Sequence, residues 1–158
     1  MKKKSKTRSS KTRAPKSRPS KHRKHGGGNL KVDLRITPTS DLYTKKQFET
    51  SGEPMVEWKP SNPYYTFLCA DPDSSEPSWL HWLVVNCTGG TPSTGTPLTP
   101  WEPPTPPTGI HRYFFSLYSH DHPLTVEAPE TRSKFDTNAF VTQNNLKLVD
   151  QSIVRVKA

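Results

Sequence analysis

At 158 residues, with 30% hydrophobic residues and 17 prolines, the chain has room for one domain of ordinary size, and so many breakers argue against a helical bundle and for a mostly β architecture. The net charge of +9 is unevenly spread: residues 1–28 hold 12 of the 23 Lys and Arg and none of the 14 acids, so the rest of the chain is slightly acidic. No run approaches the roughly 18 apolar residues of a helical membrane span, and no N-terminal stretch resembles a signal peptide. With only two cysteines, Cys69 and Cys87, both inside apolar runs, the expectation is a soluble, intracellular protein, cytoplasmic or nuclear.

In chain order, residues 1–24 are almost wholly Lys, Arg, Ser, Thr and Pro, and His25 leads into Gly26-Gly27-Gly28. Such a segment cannot bury enough surface to offset its ordering entropy, so residues 1–28 read as a disordered basic tail with a glycine linker, and 29–158 as the folded domain. Leu30 to Arg35 alternates apolar and polar, the period of a half-buried strand. Met55 to Trp58 offers a second short strand, closed by Pro60 and the Ser61-Asn62-Pro63 turn. Tyr64–Ala70 and Trp79–Cys87 are nearly continuous apolar runs, as expected of central strands covered on both faces.

Six prolines between Pro97 and Pro107 make the stretch from Gly89 to Gly109 read as a loop, since Pro cannot donate to a ladder. A polyproline spacer or SH3 ligand is the alternative. His111–Tyr118 returns to a strand pattern, and Leu124–Val126 suggests another extended piece. Asp136 is placed to cap a short helix carrying Ala139 and Phe140. Leu146–Val149 and Ser152–Val156 read as two closing strands.

Two segments carry the functional case: Asp71-Pro72-Asp73 followed by Trp79-Leu80-His81-Trp82, and Pro106-Pro107-Thr108-Gly109-Ile110-His111-Arg112-Tyr113. A carboxylate, two imidazoles and a phenol at strand ends beside Pro and Gly turns are suited to a pocket mouth, and imidazolium, hydroxyl and backbone N–H donors suit phosphate oxygens. Asp71, itself an anion, is better suited to orient an imidazole and favour its protonated form. Each residue also has a plainer reading: Asp71 as a turn cap, His81 as a core histidine, Tyr113 as strand packing. Asp73 reads as a structural loop residue as readily as a ligand contact.

These two segments, in this order, resemble the signatures of the phosphatidylethanolamine-binding protein family, which includes the Raf kinase inhibitor protein and plant flowering regulators. The resemblance runs from about Leu30 to Val156 and is nearest to the plant-type members. It implies a mainly β fold, with a central antiparallel sheet packed on a smaller sheet and one or two peripheral helices. It also implies an anion-accepting cavity lined by Asp71, His81, His111 and Tyr113, with the Pro and Gly residues near Gly109 at its rim. The stretch from Asp71 to Trp79 is shorter than in typical members, and the chain stops soon after its last strand, where animal members continue into a helix. A more open pocket is expected.

The expected ligand is a phosphorylated small molecule or phospholipid headgroup, with a signalling protein or kinase as a further partner by family analogy. No cofactor and no metal are expected: two His and one Asp match a facial triad, but no further acid or His completes the shell. His120 and His122 around Asp121 read as a solvated turn. There is no Gly-x-Ser-x-Gly elbow, and neither Cys has a base near it in sequence, so the chain reads as a monomeric binding module and not an enzyme. The competing reading places binding in the tail, whose twelve cations would hold nucleic acid or an acidic membrane surface through counterion release, or serve nuclear import. Phosphorylation of its serines would cut that charge.

Overall fold

The computed structural model describes residues 24–25, 28–37 and 40–158. Among these residues nine strands form two sheets. The small sheet has the order β1-β2-β4, from Lys24–His25, Lys31–Asp33 and Met55–Glu57. The large sheet has the order β3-β9-β8-β5-β6-β7, from Tyr43–Thr44, Lys147–Lys157, Ile110–His120, Tyr64–Asp71, Trp79–Cys87 and Thr96–Thr99. Its pairings are antiparallel except for the short β3–β9 pair. Among the described residues there are also two short helices, α1 (Lys45–Phe48) and α2 (Thr137–Gln143).

β5 and β6 are buried along almost their whole length because both faces of the large sheet are covered. Tyr65, Phe67 and Cys69 of β5 join Trp82, Val84, Phe115 and Leu117 in a core shared with Leu30, Val32, Val56 and Trp58 of the small-sheet region. Leu68 and Ala70 point the other way, into a second cluster with Leu80, Leu83 and Val85 that is covered by Leu124, Val126, Phe135 and Phe140. A β strand alternates its faces, so an uninterrupted apolar run is what two covered faces require. β9 is covered on one face only towards its end. Its residues alternate there, with Ser152, Val154 and Val156 buried and Gln151, Ile153 and Arg155 exposed.

Several expectations are corrected. The Pro-rich stretch is not all loop: it holds a single 3-10 turn (Pro92–Thr94) and then β7, with Pro97 opposite Val84. Pro is tolerated there because β7 is an edge strand, where a missing N–H can face solvent. The two closing strands are one continuous β9 with a register shift where β8 passes from Leu117 to Tyr118. The partner moves from Asp150 to Leu148, so one extra residue breaks the alternation. Leu124–Val126 forms no strand; Asn86 holds it instead, exchanging side-chain bonds with the Leu124 N–H and carbonyl. Asp136 does cap α2, accepting from the Ala139 N–H at 2.9 Å. His120 is no solvated residue: it is 7% exposed, with Nδ1 donating to the His122 carbonyl and Nε2 bonded to Thr66. Of the segment read as tail, Lys24 and His25 form β1; residues 1–23, 26 and 27 lie outside the described residues.

Candidate ligand-binding site

β5 delivers Asp71 to its C-terminal end, between its neighbours β6 and β8. Asp71 is 1% exposed, and both its oxygens are engaged. Oδ1 accepts from the Asp73 N–H at 2.8 Å, closing the turn that Pro72 opens, and Oδ2 accepts from Nδ1–H of His111 on β8 at 2.7 Å. The turn-cap and imidazole-orienting roles are both fulfilled by one carboxylate.

His81 reaches the site through a bulge. Cys69 pairs with Trp82 while the next residue, Ala70, pairs with Leu80, so His81 is the extra residue of β6. In a regular strand Leu80 and Trp82, two residues apart, would share a face; across the bulge they belong to opposite clusters. Bulges of this kind re-aim a side chain, and they recur beside functional sites. The His81 Nδ1 lies 2.8 Å from the Glu102 carbonyl oxygen. A carbonyl can only accept, so Nδ1 carries the proton and Nε2 is the ring atom left for a ligand. The ring meets Tyr113 edge to face, centroids 5.0 Å apart.

A cleft of about 220 Å³ opens here, lined by Asp71, Ser74, Trp79, His81, Glu102, Thr105, Pro106, Pro107 and Tyr113. That is below the roughly 300–1,000 Å³ of pockets for drug-sized molecules, and suits a headgroup or a single modified side chain. Both lining carboxylates are engaged: Glu102 meets the Arg132 guanidinium at 3.0 Å, and Asp71 accepts from the His111 Nδ1–H. Burial holds the His81 imidazole below its ordinary value, outweighing the Glu102 carbonyl and the Asp71 carboxylate, which pull the other way. Burial and then the Asp71 charge push the Tyr113 hydroxyl well up, so it remains a protonated donor.

Of the five residues expected at the site, Asp71, His81 and Tyr113 line the cleft together, and His111 and Gly109 do not. His111 is buried and its Nδ1 is committed to Asp71, which makes it a partner of the lining and not part of it. Gly109 is exposed at a φ of +67°, a conformation glycine adopts freely, and its carbonyl accepts from the Ala158 N–H across the β8–β9 end. Asp73 takes the structural role: its carboxylate binds the Arg112 backbone N–H and, through both oxygens, the Arg112 guanidinium, each at 2.9 Å.

Sequence reading missed Ser74, Trp79, Glu102, Thr105 and Arg132. Arg132 donates to the carbonyls of Leu80, His81 and Pro100 while neutralising Glu102. It comes from the segment before α2, some 50 residues away in sequence, and no local signal marks it. Among the described residues no group of three or more His, Cys, Asp or Glu is gathered for a metal ion.

Comparison with known proteins decides the family. The family model described as phosphatidylethanolamine-binding protein matches residues 23–152. The chain belongs to the phosphatidylethanolamine-binding protein family. It is similar to Protein BROTHER of FT and TFL 1 of Arabidopsis thaliana, 34% identical over 127 residues that cover 71% of this chain and 72% of that protein. It is 35% identical to CEN-like protein 1 of Nicotiana tabacum, over 66% of this chain and 61% of the relative. With Protein FLOWERING LOCUS T of Arabidopsis thaliana it shares 35% identity, over 74% of this chain and 66% of that protein. The solved structure of carboxypeptidase Y inhibitor in complex with its cognate proteinase has the same fold, at a TM-score of 0.65 and 15% identity over 82% of each chain. All three relatives are plant proteins, the branch that the sequence resembles.

The Asp73–Arg112 pair, unlike Asp71–His111, is worth little. The two side chains are 28% and 52% exposed, and exposed pairs contribute about 0–1 kcal/mol. The Arg112 guanidinium holds the Asp73 carboxyl below its usual range against the smaller effect of burial. The stabilisation is therefore present above the unfolded value of about 3.9 and lost as pH falls through the lower folded value. Asp73→Ala is expected to cost no more than about 1 kcal/mol in urea unfolding at pH 7, and the difference from the parent should vanish in strong acid. A larger loss, or one unchanged by acid, would contradict this assignment.

Proposed function

We propose that the cleft binds a phosphate-bearing group and that the protein acts by binding, without transforming its ligand. The observation that carries this is the His81 ring: Nδ1 is held by the Glu102 carbonyl, which leaves Nε2 to the cleft beside Ser74, Thr105 and Tyr113, three hydroxyls able to donate to oxygen. Glu102 is already paired with Arg132, and Asp71 accepts from the His111 ring N–H, so a proton added at His81 gives the cleft a cation to offer an anion. Burial raises the Cys69 thiol and pushes the Cys87 thiol up to about 12, which leaves both as inert core residues and supports a non-catalytic reading. Two free thiols also fit an intracellular setting, cytoplasmic or nuclear. The phosphate could be carried by a phospholipid headgroup or by a phosphorylated protein; regulation of a signalling partner would follow from the second. Carboxypeptidase Y inhibitor is named for binding a proteinase, which makes a protein partner consistent with this fold.

The proton count sets the pH dependence. Neutral His81 cannot donate from Nε2, so the complex needs one proton, on the imidazole or on the phosphate. The free imidazole lies below its ordinary value of about 6.5, and a phosphate monoester has its second pKa near 6. Above about pH 7 neither partner brings that proton, so affinity should fall by about tenfold per pH unit until the pKa of the bound state is passed. Titration of the full chain with phosphorylethanolamine, followed by NMR, should shift His81, Ser74 and Thr105, and His81→Ala should weaken binding about tenfold or more. Flat affinity from pH 5.5 to 8.5 would exclude the shared proton. The second reading, binding through the basic tail, rests on the charge split; it predicts binding that survives His81→Ala and collapses with salt. Phosphoserine peptides and vesicles carrying phosphatidylethanolamine then separate the two sources of phosphate.

A further inference from the structure

A second opening, separate from the His81 cleft, lies against the small sheet. It has a volume of about 280 Å³, and its lining includes Lys31 and Asp33 of β2, Met55 and Glu57 of β4, Glu53, and Trp82 of the large sheet. Apolar surface predominates, and among the described lining residues the exposed carboxylates of Glu53 and Glu57 stand beside the ammonium of Lys31. Glu53, Met55 and Glu57 are exposed, so the groove is accessible. Such a surface suits a basic peptide with small or apolar residues between its charges.

The chain itself supplies one. Residues 1–23 carry eleven Lys and Arg and no acid. β1 brings the end of this segment to the groove: Lys24 pairs with Asp33, and Asp33 in turn pairs with Met55 on the far side of β2. Two strand spacings, about 10 Å, therefore separate the backbone at Lys24 from that at Met55. We propose that residues 1–23 fold back into this acidic groove, so that the groove and any polyanionic partner compete for the same cations. Individual exposed ion pairs are weak. Attachment at this distance, however, gives the segment an effective concentration in the millimolar range, at which weak contacts are occupied. Each phosphate added to a tail serine would bring about −1.5 to −2 charges to an acidic surface and favour release.

The test uses the full chain at low salt. A nitroxide placed by Ser10→Cys, with Cys69 and Cys87 buried and unreactive, should broaden the amide signals of Glu53, Met55 and Glu57. The double variant Glu53→Lys, Glu57→Lys should reduce the docked population by about fivefold or more, and roughly 1 M salt, with a Debye length of about 3 Å, should abolish the broadening. No broadening at low salt, or broadening unchanged in the charge-reversed variant, overturns the proposal. Mixing spin-labelled unenriched chain with unlabelled nitrogen-15 chain separates the remaining case. Broadening of equal size in that mixture means the segment docks on a second copy, which also overturns it. None of these residues lines the His81 cleft, so the outcome is independent of the phosphate reading.

Discussion

Asp71→Ala is expected to lower the unfolding free energy by about 3–5 kcal/mol, the cost of removing one partner from a buried pair. Two donors lose their acceptor at once: the His111 Nδ1–H and the Asp73 N–H. His111 is 7% exposed, so water cannot readily replace the lost oxygen, and a buried unsatisfied donor costs about 1–3 kcal/mol by itself. Against a total stability of about 5–15 kcal/mol for a domain, this is a large fraction. Urea unfolding would show it as a lower midpoint at unchanged slope. Asp71→Asn separates the causes: the amide oxygen can still accept from Asp73, and the amide N–H can meet His111 in its other tautomer. The Asn variant should therefore recover most of the loss. If the Ala variant loses less than about 1 kcal/mol, Asp71 is not the keystone of the turn and the imidazole.

Phe67→Ala is expected to cost about 3–5 kcal/mol as well, for a different reason. Phe67 is fully buried and stands where the two sheets meet. Its ring lies edge-on to Trp82 at 5.1 Å and stacks with Trp58 and Phe115, each at 6.3 Å. Trp101 closes the group, 5.5 Å from Trp82 and 6.1 Å from Phe115. Rings this large cannot collapse into the vacated space, so the cavity adds to the lost burial. Because Phe67 does not line the His81 cleft, the phosphorylethanolamine-induced shift at His81 should persist in the folded fraction. The Asp71→Ala variant should lose it. A Phe67 variant that stays folded yet loses the His81 shift would tie the cleft to the aromatic core.

Much of the architecture was legible because it follows from periodicity. The continuous runs of β5 and β6, the alternation at the end of β9 and the Asp136 cap all announce themselves in local sequence. The edge strand β7 did not, because Pro97 disqualifies a strand only where both its sides must pair, and an edge position is a tertiary fact. The bulge at His81 is hidden for a related reason. In a run where both faces are apolar, an extra residue changes which side chain faces which core without changing the pattern of letters. Asp71, His81 and Tyr113 were found as residue types at strand ends, and the resemblance made them a set. His111 stands behind the lining, bonded to Asp71, and spacing cannot tell a lining ring from one that holds the lining. Glu102 lay inside a stretch dismissed as proline-rich, and Arg132 arrives from a distant segment. Long-range partners of this sort leave no local trace.

Arg132 also joins parts of the molecule that face different ways. Its guanidinium grips the carbonyls around the β6 bulge and the carboxylate of Glu102. Its own carbonyl accepts from Leu80, and Phe135, three residues on, exchanges bonds with Ser78. The segment leading into α2 is thus stitched to the strand that presents His81. The α2 face is therefore tied to the cleft by side chain and backbone together.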